Sequence, residues 1–476
     1  MQVDFTLLTP ELATFILGLA TFLLGLLVPG GSRKGLGSFA AAGLLVVLGI
    51  TVLSWDTRGV LLQGMYLVDA YAQFFKILFL VSAILVILGS IRYIDEQVDS
   101  HFEYYPTVIF ATLGMMVMAS AGDFITLYMG LELMTISFII LVALRTWDGK
   151  SLEGGLKYIL LAGLSTAVLL YGLSLIYGAT GTIIIRQVAA SLDFGYFSPL
   201  LVIGLVMLVA GLGFKVSAVP FHMWSPDVYE SAPTPVTSFL AVGSKAASFA
   251  VLLRLFVDGL PALHPHWAML VAVLAALSMV LGNLVAIPQT NIKRMLAYSS
   301  IAQAGYILVG LVTASEAGIK GVLFYAFLYV FATIGAFTVV SLVYNKIKSD
   351  EIADYAGLVQ RAPLAATVML ICLLSMAGIP PLAGFVGKFY LFTTIIQGYM
   401  WLAYLGLIMS MVSVYYYLRV VLVMFRDDPV DLSPLEMGSA AKITLLITMV
   451  ATIVLGIYPG PLAEIANIAA QSFFMK

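Results

Sequence analysis

The sequence predicts an all-α polytopic membrane protein of about 14 transmembrane helices, two of them broken, and three observations carry that reading. Of 476 residues, 62% are hydrophobic and 10% charged, against roughly 45–50% and about 25% in an average soluble domain. The apolar residues gather in runs of roughly 20, the length that spans a bilayer as a helix. Connections between the runs are short, so no soluble domain is inserted. Lipid offers the backbone no hydrogen-bonding partner, so each run is read as a helix. With 23 basic and 25 acidic residues the net charge is -2, which points to neither nucleic acid nor an acidic substrate. The single cysteine, Cys372, lies inside an apolar run, which excludes disulfides, thiolate metal clusters and CxxC redox chemistry. Asp4 and Glu11, with no basic residue ahead of the first run, argue against a secretory signal.

Taken in order, the runs are bounded by glycine, proline or charge. Residues 11–28, 36–55 and 68–92 form a three-helix segment within 1–104. The fourth to eighth runs, 106–121, 124–144, 152–177, 197–216 and 235–257, fall within 105–260. The ninth to thirteenth, 267–286, 292–312, 318–343, 363–397 and 401–425, fall within 261–428, and the fourteenth, 440–457, within 429–476. Proline removes a backbone donor and clashes with the preceding turn. The seventh helix is therefore broken by Pro220 and the Pro226 region, and the twelfth by Pro380 and Pro381. Breaks five helices apart point to two inverted five-helix repeats, helices 4–8 and 9–13, because an odd number of crossings reverses topology. Broken helices at mid-membrane are tolerated where they are buried in protein or line a hydrated cavity, as in transporters.

Lys and Arg outside the lipid set orientation. Odd-numbered connections hold Arg33, Lys34, Arg92, Arg145, Lys150, Lys157, Lys293, Arg294, Lys346, Lys348, Arg361, Arg426 and Lys442; even ones hold Arg58, Arg186, Arg254 and Lys320. Odd connections are thus expected on the cytoplasmic side and both termini on the outer side. The acidic group Asp95, Glu96, Asp99 and Glu103 weighs little in this rule.

Four ionisable residues fall inside predicted helices: Glu132, Lys215, Lys245 and Lys388. Each costs about 2.5–3.5 kcal/mol at a helix centre, and three lysines against one glutamate leave an excess of cation. Fixed ion pairs are one reading; the other is proton carriage, since a buried ammonium lowers its cost by losing a proton. Lys76, seven residues after Asp69 and near Tyr71 and Gln73, reads as structural or as a subunit contact more than as a relay. Ser244, Tyr298, Ser299, Ser300 and Gln303 are polar groups able to bridge the charges, and Tyr415, Tyr416 and Tyr417 stand in the thirteenth helix where the eighth has Lys245. His222, inside the first break, reads as a gate or as a helix cap.

Gly213-Phe214-Lys215-Val216-Ser217-Ala218-Val219-Pro220-Phe221-His222, then Ser225-Pro226-Asp227-Val228-Tyr229-Glu230 and Ala232-Pro233-Thr234-Pro235-Val236, resembles the core signature of the antiporter-like membrane subunits of respiratory complex I. Gly130-Leu131-Glu132-Leu133, the stretch Asn291 to Gln303, and Gly378-Ile379-Pro380-Pro381 with Gly387-Lys388 extend the resemblance over nearly the whole chain. Ala-Pro-Thr-Pro-Val, a lysine at 388, and no long lateral helix beyond Phe474 make it similar to the N type rather than the L or M type. Ser231 departs from the glycine common there. The resemblance implies a proton-translocating subunit of an NADH-quinone oxidoreductase, with no redox cofactor on this chain. Iron–sulfur clusters, flavin and quinone chemistry would belong to partner subunits in a bacterial inner membrane. It implies Glu132 as the carboxylate controlling Lys215, Lys215 as central carrier, Lys245 as connector and Lys388 as terminal group. A multisubunit sodium/proton antiporter, a membrane-bound hydrogenase-type complex and a non-transporting scaffold are the alternatives.

Overall fold

The computed structural model describes residues 4–28, 35–98, 101–192, 198–429 and 433–474. Arg33, Lys34, Asp99 and the start of the seventh predicted helix at Phe197 lie outside the described residues. The chain opens with α1 (Thr9–Leu27) and α2 (Leu36–Leu53), joined to α3 (Ala70–Gln97) through a two-stranded antiparallel hairpin, β1 (Gly59–Leu61) and β2 (Tyr66–Val68). This hairpin is the exception to the all-helical expectation. Next come α4 (His101–Ser120), α5 (Phe124–Val142), α6 (Gly149–Thr180) and the short α7 (Ile185–Ser191). The first broken helix is α8 (Pro199–Lys215) with α9 (Trp224–Ser231). It is followed by α10 (Thr234–Gly259), which contains two π-helical stretches, Leu240–Ser244 and Arg254–Gly259. Then follow α11 (His264–Ala286), α12 (Ile292–Val312) and α13 (Glu316–Ile347). The second broken helix is α14 (Pro363–Ala377) with α15 (Ala383–Thr394). The remainder is α16 (Met400–Arg426), α17 (Ser439–Ile457) and α18 (Gly460–Gln471).

Among the described residues, twelve helices are long and apolar enough to cross a membrane. The other two expected crossings are the two broken helices, which accounts for the difference from 14. Asp69, Asp123, Asp148, Ser198, Asn291 and Ser315 start their helices as side-chain caps, each satisfying backbone donors that the first turn leaves free. The eighth predicted run proved the centre of the molecule: α10, α12 and α13 are almost wholly buried, whereas α1, α6, α16 and α17 turn apolar faces outward. A large exposed apolar surface on a helical protein is what lipid solvates.

Several sequence expectations are corrected. Pro226 does not break its helix; it occupies the first turn of α9, where a missing N–H costs nothing. Arg254, assigned to a connection, lies within α10 and is buried, held by Asp69 Oδ1 at 2.7 Å and by the Ala119 carbonyl. Lys293 is buried as well, donating to the Ala232 carbonyl at 2.9 Å beside Asp350 at 3.5 Å. The tail after the fourteenth run is helical, as α18.

Candidate functional site

Both broken helices stop in the same way. After α8, Ser217 takes the left-handed region at φ 60°. The Ala218 N–H then returns to the Gly213 carbonyl at 2.8 Å and the Ser217 N–H to Phe214 at 3.0 Å. After α14, Gly378 does the same at φ 86°, with Ile379 N–H on Leu374 at 3.1 Å and Gly378 N–H on Ser375 at 2.9 Å. This closing motif satisfies two of the last carbonyls and leaves the final two without backbone partners. At the second break those two are Met376 and Ala377.

Lys388, one turn into α15, fills that vacancy. Its Nζ donates to Met376 O at 3.0 Å, Ala377 O at 3.1 Å and Ser410 Oγ at 2.8 Å. These use all three ammonium donors. The same Nζ stands 4.4 Å from the centre of the Tyr306 ring. The negative end of a half-helix thus faces a cation. A cavity of about 470 Å³ between α15 and α16 reaches Lys388 and Ser410 past Phe389, Tyr404, Leu407 and Met411.

Lys215 closes α8 and so cannot reach back in this way; its Nζ donates to Thr135 Oγ1 at 3.0 Å. Thr135 lies one turn beyond Glu132 on α5. Glu132 is within electrostatic range of Lys215, but among the described residues the two make no direct ion pair. Glu132 is half-buried, and its Oε1 is buried with no hydrogen-bond partner. Lys245 follows the first π-helical stretch of α10 and donates to Ser300 O at 2.9 Å and Ser300 Oγ at 2.5 Å, with the Tyr229 ring centre 5.8 Å away. Lys215, Lys245 and Lys388 are each under 5% exposed.

From Ser299 to Lys388 the hydrogen bonds are continuous, and Lys245 adjoins that chain through Ser300, the next residue along α12. Ser299, beside Ser300, bonds Tyr417; Gln303 Nε2 donates to the Tyr417 hydroxyl at 3.3 Å and to Met376 O at 3.0 Å; the Tyr325 hydroxyl donates to Gln303 Oε1. Met376 O is the carbonyl that also holds Lys388. Tyr416 and Tyr306 join through Asn283, at 3.0 and 3.1 Å. The stretch from Lys215 to Lys245 differs. Ser225 and Tyr229, four residues apart on α9, and His222 are buried, and Ser225 Oγ, Tyr229 OH and His222 Nδ1 make no close hydrogen bond, the Tyr229 hydroxyl having only weak interactions with Ser225 and Ser300.

His222 does not cap α9, which starts without a side-chain cap. Tyr298 and Tyr415 are not drawn in: Tyr298 is half-buried and Tyr415 is 62% exposed. Lys76 belongs elsewhere, 2.8 Å from Glu11 in a buried pair beneath the Tyr66 ring. Asp69, Tyr71 and Gln73 engage Arg254, Ala250 O and Ser54 O instead. Sequence reasoning missed Thr135 and Tyr229. The spacing of Thr135 from Glu132 was the available signal for the first. It also missed the ion network that fixes α9: Lys157 with Glu153 at 2.8 Å and Asp227 at 3.0 Å, and Arg294 with Asp227 at 3.0 Å and Glu230 at 2.8 Å. Among the described residues no group of three His, Cys, Asp or Glu converges as metal ligands.

Residues 121–426 match the family described as NADH:quinone oxidoreductase/Mrp antiporter, transmembrane. NADH-quinone oxidoreductase subunit N of Desulforamulus reducens is 76% identical over 476 residues, covering 100% of both chains. A chain of respiratory complex I from Thermus thermophilus superposes with TM-score 0.81 at 33% identity, covering 96% of this chain and 98% of that one. A chain of the Mrp complex from Dietzia shares the fold at TM-score 0.86 and 21% identity, covering 98% of each. The chain is an integral membrane protein that belongs to the NADH:quinone oxidoreductase/Mrp antiporter transmembrane family, within its subunit N branch.

Proposed function

We propose that this chain is the proton-translocating, antiporter-like membrane subunit of an NADH- or related donor-driven quinone oxidoreductase. Glu132, Lys215, Lys245 and Lys388 form its relay. The observation that carries the reading is three buried lysines on three different elements, none ion-paired among the described residues, with Ser299, Tyr417 and Gln303 leading from the residue beside Lys245's partner Ser300 to the carbonyl that holds Lys388. Structural charges of this cost are normally cancelled by a partner. Lys215 rests on Thr135 within reach of Glu132's field, so a displacement of either residue changes how strongly the ammonium is favoured. A proton released there passes Ser225 and Tyr229, where water completes the hydrogen bonding of buried polar groups, to Lys245 and then Lys388. His222 stands at the break as a gate.

The driving redox steps, with iron–sulfur clusters, flavin and quinone, belong to other subunits. Residues 105–260 and 261–428 serve as the two inverted units. In support, α4 with α5 and α11 with α12 approach by the same device: a Cβ on Gly114 would lie 2.6 Å from Met134 N, and one on Gly282 2.6 Å from Ala302 N. The termini face the outer side of a bacterial inner membrane. Glu132→Ala and Lys215→Ala in the assembled complex, reconstituted into vesicles, should each lower protons moved per NADH while the complex stays intact. Unchanged stoichiometry in both variants would overturn the relay, and loss of assembly before any loss of pumping would favour a scaffold.

A further inference from the structure

We propose that the face of the molecule on which α3 begins holds the headgroup of an anionic phospholipid. A cavity of about 370 Å³ opens there between the β1–β2 hairpin, the first turn of α3, α7 and α18. Its charged lining is Arg58, Arg186 and Asp69, and its apolar lining includes Val60, Leu67 and Ile468. Asp69 is already committed to Arg254 at 2.7 Å, and Arg186 reaches Asp258 at 3.2 Å. Among these lining groups and their ion-pair partners three guanidiniums meet two carboxylates, one positive charge in excess, while Asp56 is exposed outside the lining and Glu316 is taken up by Gln471. Arg58 carries the excess: among the described residues it makes no ion pair, and its NH1 is positioned by the Trp55 and Thr57 carbonyls. Beneath, Arg254 is buried, with NH1 lacking any hydrogen-bond partner.

The surroundings fix the chemistry of the occupant. The cavity lies where α2 and α10 end and α3 begins, and the ends of spanning helices are where lipid headgroups are met. Leu53 is 90% exposed and Val60 58% exposed beside it. The helix α18 is amphipathic, burying Ala463, Ala466 and Ala470 while exposing Ile465 and Ile468 three residues apart on its other side. An anionic group with hydrocarbon attached satisfies both the guanidinium and the apolar wall; a free anion satisfies only the first. Arginine is suited to a phosphodiester because its planar fork matches two oxygens.

The test uses the full-length chain in its detergent-solubilised complex, exchanged against vesicles of equal parts phosphatidylglycerol and phosphatidylcholine, with bound lipid read by native mass spectrometry. Phosphatidylglycerol should be retained over phosphatidylcholine, and Arg58→Gln should lower its retention about tenfold, the loss of one charge-assisted contact. Arg58→Lys should retain an intermediate amount. Equal retention of the two lipids, or retention unchanged in Arg58→Gln, overturns the site. Displacement of the phosphatidylglycerol by inorganic phosphate alone overturns the lipid in favour of a free anion.

Discussion

In the first broken helix, α8 ends on Ser217 at φ 60°, and its lysine leaves the break to meet a hydroxyl on another helix. In the second, α14 ends on Gly378 at φ 86°, and a lysine from the far side of the break returns to the bare carbonyls. The closing motif is the same, but the position of the lysine in the chain decides the outcome. A lysine that is itself the last helical residue cannot serve its own carbonyls, whereas one placed one turn into the next half-helix can. Lys388 is therefore locked by three protein contacts. Lys215 is held by one and stays open to the field of Glu132. The polar groups on the two sides of Lys245 differ in the same sense, hydrogen-bonded in a chain from Ser299 to Lys388 and only loosely partnered at Ser225, Tyr229 and His222. A half with unpartnered polar groups is free to rearrange, and a half with every group satisfied holds one arrangement.

That contrast can be broken most severely at Gln303. Gln303→Leu removes a partner from Tyr325, Tyr417 and Met376 O together and leaves the Tyr325 hydroxyl with none, Ser299 and Lys388 still serving the other two; a buried group left unsatisfied costs about 1–3 kcal/mol. Thermal unfolding of the solubilised complex should fall by several degrees and vesicle acidification should drop sharply; pumping at the original level would show that the wired half is not the conduit. A smaller effect comes from exchanging the two closing residues. Gly378→Ala places a Cβ 3.0 Å from Lys388 Cδ in a backbone region that L residues avoid at about 1–2 kcal/mol, and should destabilise. Ser217→Gly relieves that same conformation, with a stability change near zero or slightly positive, read in the same unfolding assay. Equal losses in both would show that the two ends are not equivalent after all. Smallest is the tyrosine pair. Tyr417→Phe removes bonds to Ser299 and Gln303 and should cost about 1–1.5 kcal/mol. Tyr229→Phe, whose hydroxyl makes only weak interactions with Ser225 and Ser300, should cost less than about 0.5 kcal/mol and act on pumping rate instead. The reverse order of stability would erase the distinction between the halves.

Much of the fold was legible because lipid makes few arrangements possible. Runs of apolar residues gave the crossings, and Pro220 with Pro380 and Pro381 gave the two breaks. Glu132, Lys215, Lys245 and Lys388 stood out because a charge inside an apolar run is costly enough to need a reason. Other charges misled for the same cause. Arg254 and Lys293 sit near run ends, where sequence alone allots them to water, yet Asp69 and the Ala232 carbonyl hold them in the interior. Glu11 read only as a terminal acid until α1, packed on α2 and α4, brought it to Lys76 of α3. The Ser231 departure also finds its counterpart only in space: a Cβ on Gly154 would lie 1.8 Å from the Ser231 hydroxyl, so the space released by one glycine admits the serine.

The sequence by itself determined that the protein is a polytopic helical membrane protein, where most of its apolar helices fall, where two helices break and which few charges lie within. Those properties are local in the chain, set by run length, proline and the cost of a buried charge. Only the tertiary structure decided which polar group each lysine meets. Thr135 for Lys215, Ser300 for Lys245 and the carbonyls of Met376 and Ala377 for Lys388 are 80, 55, 12 and 11 residues distant in the chain. Hydrogen bonds act over about 3 Å and are directional, so the partners are fixed by helix packing and not by spacing in sequence.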